Sequence, residues 1–284
     1  MADLMKARSL PARRGWHWFF AGWVLLRKSR WILSALVLFC WLLLSMALNV
    51  LSAVHVACQI LILLALRAVS VSLMNACRLL DTRAPLPFPA VLLSGFRTNT
   101  RAIFHLGVVG LLLTLLILLA TSWINGGLVL QIPAFAEKPS EAAIREAALA
   151  GLPDGMIMQK VTLAFSNLLF TALMALISLL LWFAAALAAW HGFSASKALF
   201  FSLTVALRNA LPFLFYALTF FLLGLLLPLP LFSVLLALIG ANQTTMIMAS
   251  MFFIIFMTVT LPPLLLAGIY ASYRDIFSLS DAHD

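Results

Sequence analysis

Apolar residues gather in long unbroken runs, with polar residues pushed into short intervals between them. Six runs qualify as membrane spans, at approximately 31–50, 53–76, 102–124, 161–190, 211–239 and 246–273. A helix of about 20 apolar residues crosses the ~30 Å hydrocarbon core of a bilayer. It also satisfies its own backbone donors and acceptors, which lipid cannot do. The pattern therefore predicts an all-α, polytopic membrane protein, with a single six-helix membrane domain over 31–273. A cytoplasmic N-terminal segment over 1–30 and a cytoplasmic tail over 274–284 flank it, and a long external loop covers about 125–160.

Shorter amphipathic stretches punctuate the spans. Trp16–Leu26 is apolar, with Arg13 and Arg14 before it and Arg27, Lys28 and Arg30 after it. It is too short to span, so an interfacial helix is expected at about 12–28. Its apolar run ends in Arg-Lys-Ser-Arg and not at a small-residue cleavage site, so no processed signal is expected. Two further stretches repeat the order of parts. Leu92–Phe96 precedes Arg97 and the third span; Ser202–Leu207 precedes Arg208 and the fifth. Each is a short apolar segment, then an Arg, a few polar residues and a pair of spans. A threefold repeat of interfacial helix plus hairpin follows, with Arg27, Arg97 and Arg208 as equivalent contacts for lipid phosphate.

Composition sharpens the class. Of 284 residues, 64% are apolar and 10% charged, and mean hydropathy is +1.12. That surplus excludes a soluble enzyme, a nucleic-acid-binding domain and a disordered chain. The 18 Lys and Arg outnumber 9 Asp and Glu, and their distribution sets orientation. Six spans put both termini on one side. That side holds all the cations of 6–30, Arg78, Arg83, Arg97, Arg101, Lys197, Arg208 and Arg274; the other holds Lys138, Arg145 and Lys160. The positive-inside bias predicts cytoplasmic termini. Trp31, Trp123 and Trp190 fall at span ends, where indoles favour the headgroup boundary.

Candidate chemistry is sparse. All nine acids fall in predicted loops or tails, so paired carboxylates for hydrolysis and intramembrane acids for ion coupling are not expected. Cys40, Cys58 and Cys77 read as small buried hydrophobes. His17, His55, His105, His191 and His283 come from different segments and suggest no metal site. In the external loop, Glu141 and Arg145 form an i,i+4 pair on a short helix. Asn167, Thr171 and Ser178 form a polar stripe suited to interhelical hydrogen bonds. Gly224, Pro228 and Pro230 interrupt the fifth span, and Pro262-Pro263 the sixth; they read as kinks or as a pair of broken helices at a transport site. Arg67 is the one deep charge. Gln59, Arg67, Ser70 and Arg78 share a helical face, which predicts an inward-pointing guanidinium with no carboxylate in reach. It snorkels toward headgroups, binds the carbonyls of a broken helix, or holds an anion such as a lipid phosphate or an acidic solute.

Several stretches together resemble an uncharacterised family of six-helix inner-membrane proteins found mainly in proteobacteria. They are Pro11-Ala-Arg-Arg-Gly-Trp16 with Arg27-Lys-Ser-Arg30; Cys77-Arg78; Trp182-Phe-Ala184 through His191; Ser196-Lys-Ala-Leu199; Arg208-Asn-Ala-Leu-Pro-Phe213; and Tyr270-Ala-Ser-Tyr-Arg-Asp-Ile-Phe277. That family is similar in pattern to the membrane domain of glycerophosphoryl diester phosphodiesterases and to Yip-type membrane proteins. Relatives often carry Pro where this chain has Ala185-Ala186, and the outer loop here is longer. The resemblance implies the fold and an inner-membrane location, and brings no activity with it. The expected function is non-enzymatic, without a cofactor, catalytic or metal-binding residue. It is a lipid-interacting or scaffolding role, with anionic headgroups and other membrane or envelope proteins as partners. The alternative is a transporter or permease subunit for a lipid or an acidic solute.

Overall fold

The computed structural model describes residues 8–52, 56–124, 155–239 and 243–277. The described residues are helical, with no strand among them. In chain order the helices are α1 (Arg14–Lys28), α2 (Ile32–Ser52), α3 (Val56–Asp81), α4 (Phe88–Arg97), α5 (Thr100–Ile124), α6 (Gly155–His191), α7 (Ala195–Arg208) and α8 (Ala210–Thr219). A π-helical stretch, Phe220–Leu226, leads to α9 (Pro228–Ile239), and α10 (Gln243–Phe277) follows. Six segments are long and apolar enough to cross a membrane: α2, α3, α5, α6, the α8–α9 unit and α10. The chain is an all-α polytopic membrane protein. Their outward faces carry Leu, Ile, Phe and Met, which lipid tolerates and water would not. The external loop at 125–154, with its Glu141–Arg145 pair, lies outside the described residues, as do His55, His283 and the side chains of Cys58 and Gln59.

The three amphipathic segments are helices: α1, α4 and α7, each ending in a basic turn at Arg27-Lys28, Arg97 and Arg208. Cations there complement the negative end of the helix dipole. Tight connections turn the chain into the following span. Arg30 and Trp31 have φ of 48° and 69°, and Asn99 has φ 42°.

Two compact units divide the chain, residues 1–107 with 182–284 and residues 108–181. In the first, α1 lies against α8 and α10, α4 against α3, and α2 against α3 and α10. Two glycines mark these dockings, and Gly15 approaches Pro212 and Tyr216 of α8 in the same way. A Cβ on Gly22 would strike Leu264 and Gly268 of α10; one on Gly95 would strike Ala68 and Ser72 of α3. Leu264 and Gly268 stand ten and six residues before Arg274, as Ala68 and Ser72 stand before Arg78. So α1 docks on the last span in the register in which α4 docks on the second. Trp18 reaches Asp275, Gly22 touches Gly268, and Leu25 and Lys28 line a pocket with Tyr270 and Arg274.

In the second unit Ile117, Thr121, Ile177 and Leu181 are buried. Asn167, Thr171 and Ser178 are exposed, and the Thr171 hydroxyl donates to the Asn167 carbonyl of its own helix, 2.8 Å away. Of this stripe, Thr171 thus satisfies its hydroxyl on its own helix, as a carbonyl one turn back allows.

Three boundaries also differ. Helix α3 runs on to Asp81 and α10 to Phe277, so Asp81 and Asp275 are helical and not in a loop or tail; α6 starts at Gly155. An apolar run ends where lipid ends, but the helix continues while its last side chains find partners. The proline expectations divide. Pro262 and Pro263 sit inside one continuous α10, whereas the fifth span is broken. Pro228 and Pro230 have no N–H, so the carbonyls four residues back lose their partners. The chain widens into π geometry, and the Leu227 N–H donates to the Leu222 carbonyl at 2.9 Å.

Candidate functional site

The polar chemistry of the first unit concentrates where α1 meets the ends of α3 and α10. Asp81, the last residue of α3, gathers three partners. Arg274 donates to Oδ2, the Tyr270 hydroxyl donates to the same oxygen at 3.3 Å, and Lys28 Nζ lies 3.9 Å from Oδ1 while donating to the Asp81 carbonyl at 2.6 Å. Asp275 does the same one turn away: Trp18 Nε1 donates to Oδ2 at 2.9 Å, and Arg14 lies 3.8 Å from Oδ1. Each acid ties α1 to a span. Trp18, 2% exposed, also packs on Phe213 and Tyr216 of α8.

Asn209, between α7 and α8, is 0% exposed. Its Oδ1 accepts from the Leu10 N–H at 3.0 Å, and its Nδ2 donates to the carbonyls of Arg8 and Val205 at 3.2 and 3.1 Å. The segment before α1 is thereby clipped to the α7–α8 turn. Asn99 plays a similar part at the head of α5, donating to the carbonyls of Ala188 and Phe193, both at 2.9 Å. Asn75 donates to Ser94 at 2.9 Å and accepts from Trp190 Nε1 at 2.6 Å. Trp190 stands at the end of α6 as the apolar run predicts. Its N–H is used inside, Arg78 stacks over its ring, and Tyr273 meets it edge-on. Trp31 and Trp123 are exposed.

The sequence-derived candidates fall as follows. Arg27, Arg97 and Arg208 are exposed, each in the last turn of its amphipathic helix, and none enters an ion pair among the described residues. Arg67 is half-buried and shares its face with Val71 and Met74, each 1% exposed. Its carbonyl accepts from Ser70 Oγ at 2.7 Å, and its guanidinium makes no ion pair among the described residues. No metal-holding group of His, Cys, Asp or Glu occurs among the described residues. His191 Nε2 pairs with the Tyr273 hydroxyl at 2.8 Å, and His105 Nδ1 with the Arg101 carbonyl at 2.6 Å.

Three cavities adjoin this framework. A polar one of about 210 Å³ lies between α1 and α10, beside Lys28, Asp81 and Arg274. An apolar one of about 370 Å³ lies between α2 and α10. Another of about 310 Å³ is walled by Phe19, Phe20 and Trp23 of α1, by Leu223, Gly224 and Leu227 at the π-helical break, and by α10. None of the three is lined by Arg67.

Sequence reasoning missed Asp81, Asp275 and Asn209 as structural ties. The available signal was position: each acid follows an Arg within one turn at the end of a span, and Tyr270–Asp275 lies in the closing stretch that carried the resemblance. A probable inner membrane protein of Burkholderia thailandensis is 28% identical to this chain over 224 residues, covering 75% of the chain and 73% of the relative. No family model and no solved structure matches the chain.

Proposed function

We propose that this chain is an inner-membrane protein with cytoplasmic termini that binds anionic lipid headgroups and serves as a non-enzymatic organiser or scaffold. The observation that carries the reading is the contrast among its charges. Arg27, Arg97 and Arg208 close three amphipathic helices, stand exposed, and have no ion-pair partner among the described residues. Asp81 and Asp275, the acids of the described residues, already hold other cations. Cations left free beside an apolar surface attract anionic headgroups by about 1 kcal/mol each. The named relative supports the location, and the charge bias of the loops supports the orientation. The repeated pairing of amphipathic helix and hairpin supports the pattern similarity to the phosphodiesterase membrane domain and Yip-type proteins.

Native mass spectrometry from bilayer discs of equal phosphatidylglycerol and phosphatidylcholine tests the reading. The parent should retain phosphatidylglycerol preferentially, and replacing Arg27, Arg97 and Arg208 together by Ala should abolish the preference. Equal retention of both lipids by the parent sinks the proposal.

A transporter or permease subunit is the second reading. The broken fifth span favours it, since irregular backbone at membrane depth lines cavities. The continuous α10 removes the second broken helix on which a paired site would rest.

A further inference from the structure

We infer that the cavity between α1 and the π-helical break holds one acyl chain of an anionic glycerophospholipid whose phosphate rests on Arg27; this rests on the lipid-binding reading above. The exposed stripe of α1 runs Arg13, Trp16, Phe20, Trp23, Arg27, at intervals of three and four residues that keep it on one face. Trp23 is 42% exposed and also lines the cavity. Arg27 is one turn further, about 5–6 Å away between Cβ atoms. An apolar slot and an unpaired cation thus lie side by side on one helix, complementary to a chain and a phosphate joined by glycerol.

The slot is formed by the chain's own irregularity. Pro228 forces the widened turn, and Gly224 presents no side chain to the space. A Cβ on Gly224 would lie 3.3 Å from Leu261 Cδ2, so a larger side chain there would occupy the volume. The cavity wall is otherwise aromatic and aliphatic, with Thr260 as its polar member. The Thr260 hydroxyl donates to the Phe256 carbonyl at 2.8 Å, which leaves the wall without a free donor and suits hydrocarbon. The cavity beside Lys28 and Arg274 is a poorer candidate for a phosphate, because both cations already face the Asp81 carboxylate, which would repel the anion.

The test uses the full chain in bilayer discs of equal phosphatidylglycerol and phosphatidylcholine, read by native mass spectrometry under rising activation. The parent should keep one phosphatidylglycerol after the rest have left. Gly224→Leu and, independently, Leu227→Trp at the rim should lose that molecule. Arg27→Gln should keep a lipid but reduce its preference for phosphatidylglycerol by about fivefold, the equivalent of about 1 kcal/mol. Retention unchanged by both filling variants overturns the site, and so does undiminished preference in Arg27→Gln. If the preference in those variants instead follows Arg97 and Arg208, the site fails and the broader reading stands. A parent that keeps both lipids equally defeats both.

Discussion

Removing the Asp81 carboxylate leaves Lys28, Arg274 and Tyr270 facing one another without their shared acceptor. Hydrogen bonds to charged groups contribute about 1.5–3 kcal/mol each, and a stranded partner adds its own desolvation cost. Asp81 is only partly buried, so Asp81→Ala should lower stability by about 1–3 kcal/mol, read as thermal unfolding in mild detergent. Combined with Arg274→Ala the loss should be less than additive, because the two residues share one interaction. A fully additive pair would show that they do not. Asn209 is a stronger case, being fully buried with both ends of its amide engaged. Asn209→Ala should cost about 2–3 kcal/mol, and limited trypsin digestion should then cut at Arg13 or Arg14 faster than in the parent. Unchanged digestion would mean that the clip does not hold the segment before α1. Little of this was legible in the sequence. Asp81 and Asp275 are ordinary acids next to arginines, and only the docking of α1 brings Lys28 and Trp18 to them. Arg67 was legible as a charge within an apolar run, and it makes no ion pair among the described residues.

Helices were far more readable than their junctions. Six spans and three amphipathic helices follow from the length of the apolar runs and the position of the basic turns, because lipid allows few alternatives to a helix. The proline-rich stretches were not readable to the same degree. Pro228 and Pro262 look alike in sequence, yet one ends in π geometry and the other stays within a continuous helix. The docking of α1 on α10 and of α4 on α3 was equally hidden, since it depends on Gly22 and Gly95 meeting backbone. Gly22→Leu and Gly95→Leu should each destabilise by about 1–3 kcal/mol through overpacking. Gly22→Leu should also expose Arg13 and Arg14 to trypsin, and Gly95→Leu should not. The same cleavage pattern in both variants would mean that the two dockings are not separate events.

On the scale of the whole molecule, every functional proposal depends on one arrangement: α1, α4 and α7 must share a single face of the membrane, with their arginines toward anionic cytoplasmic headgroups. Alternation of six spans requires the shared face, and on the positive-inside bias we propose that it is the cytoplasmic one. Paired reporters measure this directly, one active only in the cytoplasm and the other only outside the inner membrane, each fused after Asp284 and inserted at Glu141. The account predicts cytoplasmic activity at Asp284 and external activity at Glu141. External activity at Asp284, or cytoplasmic activity at Glu141, would contradict it.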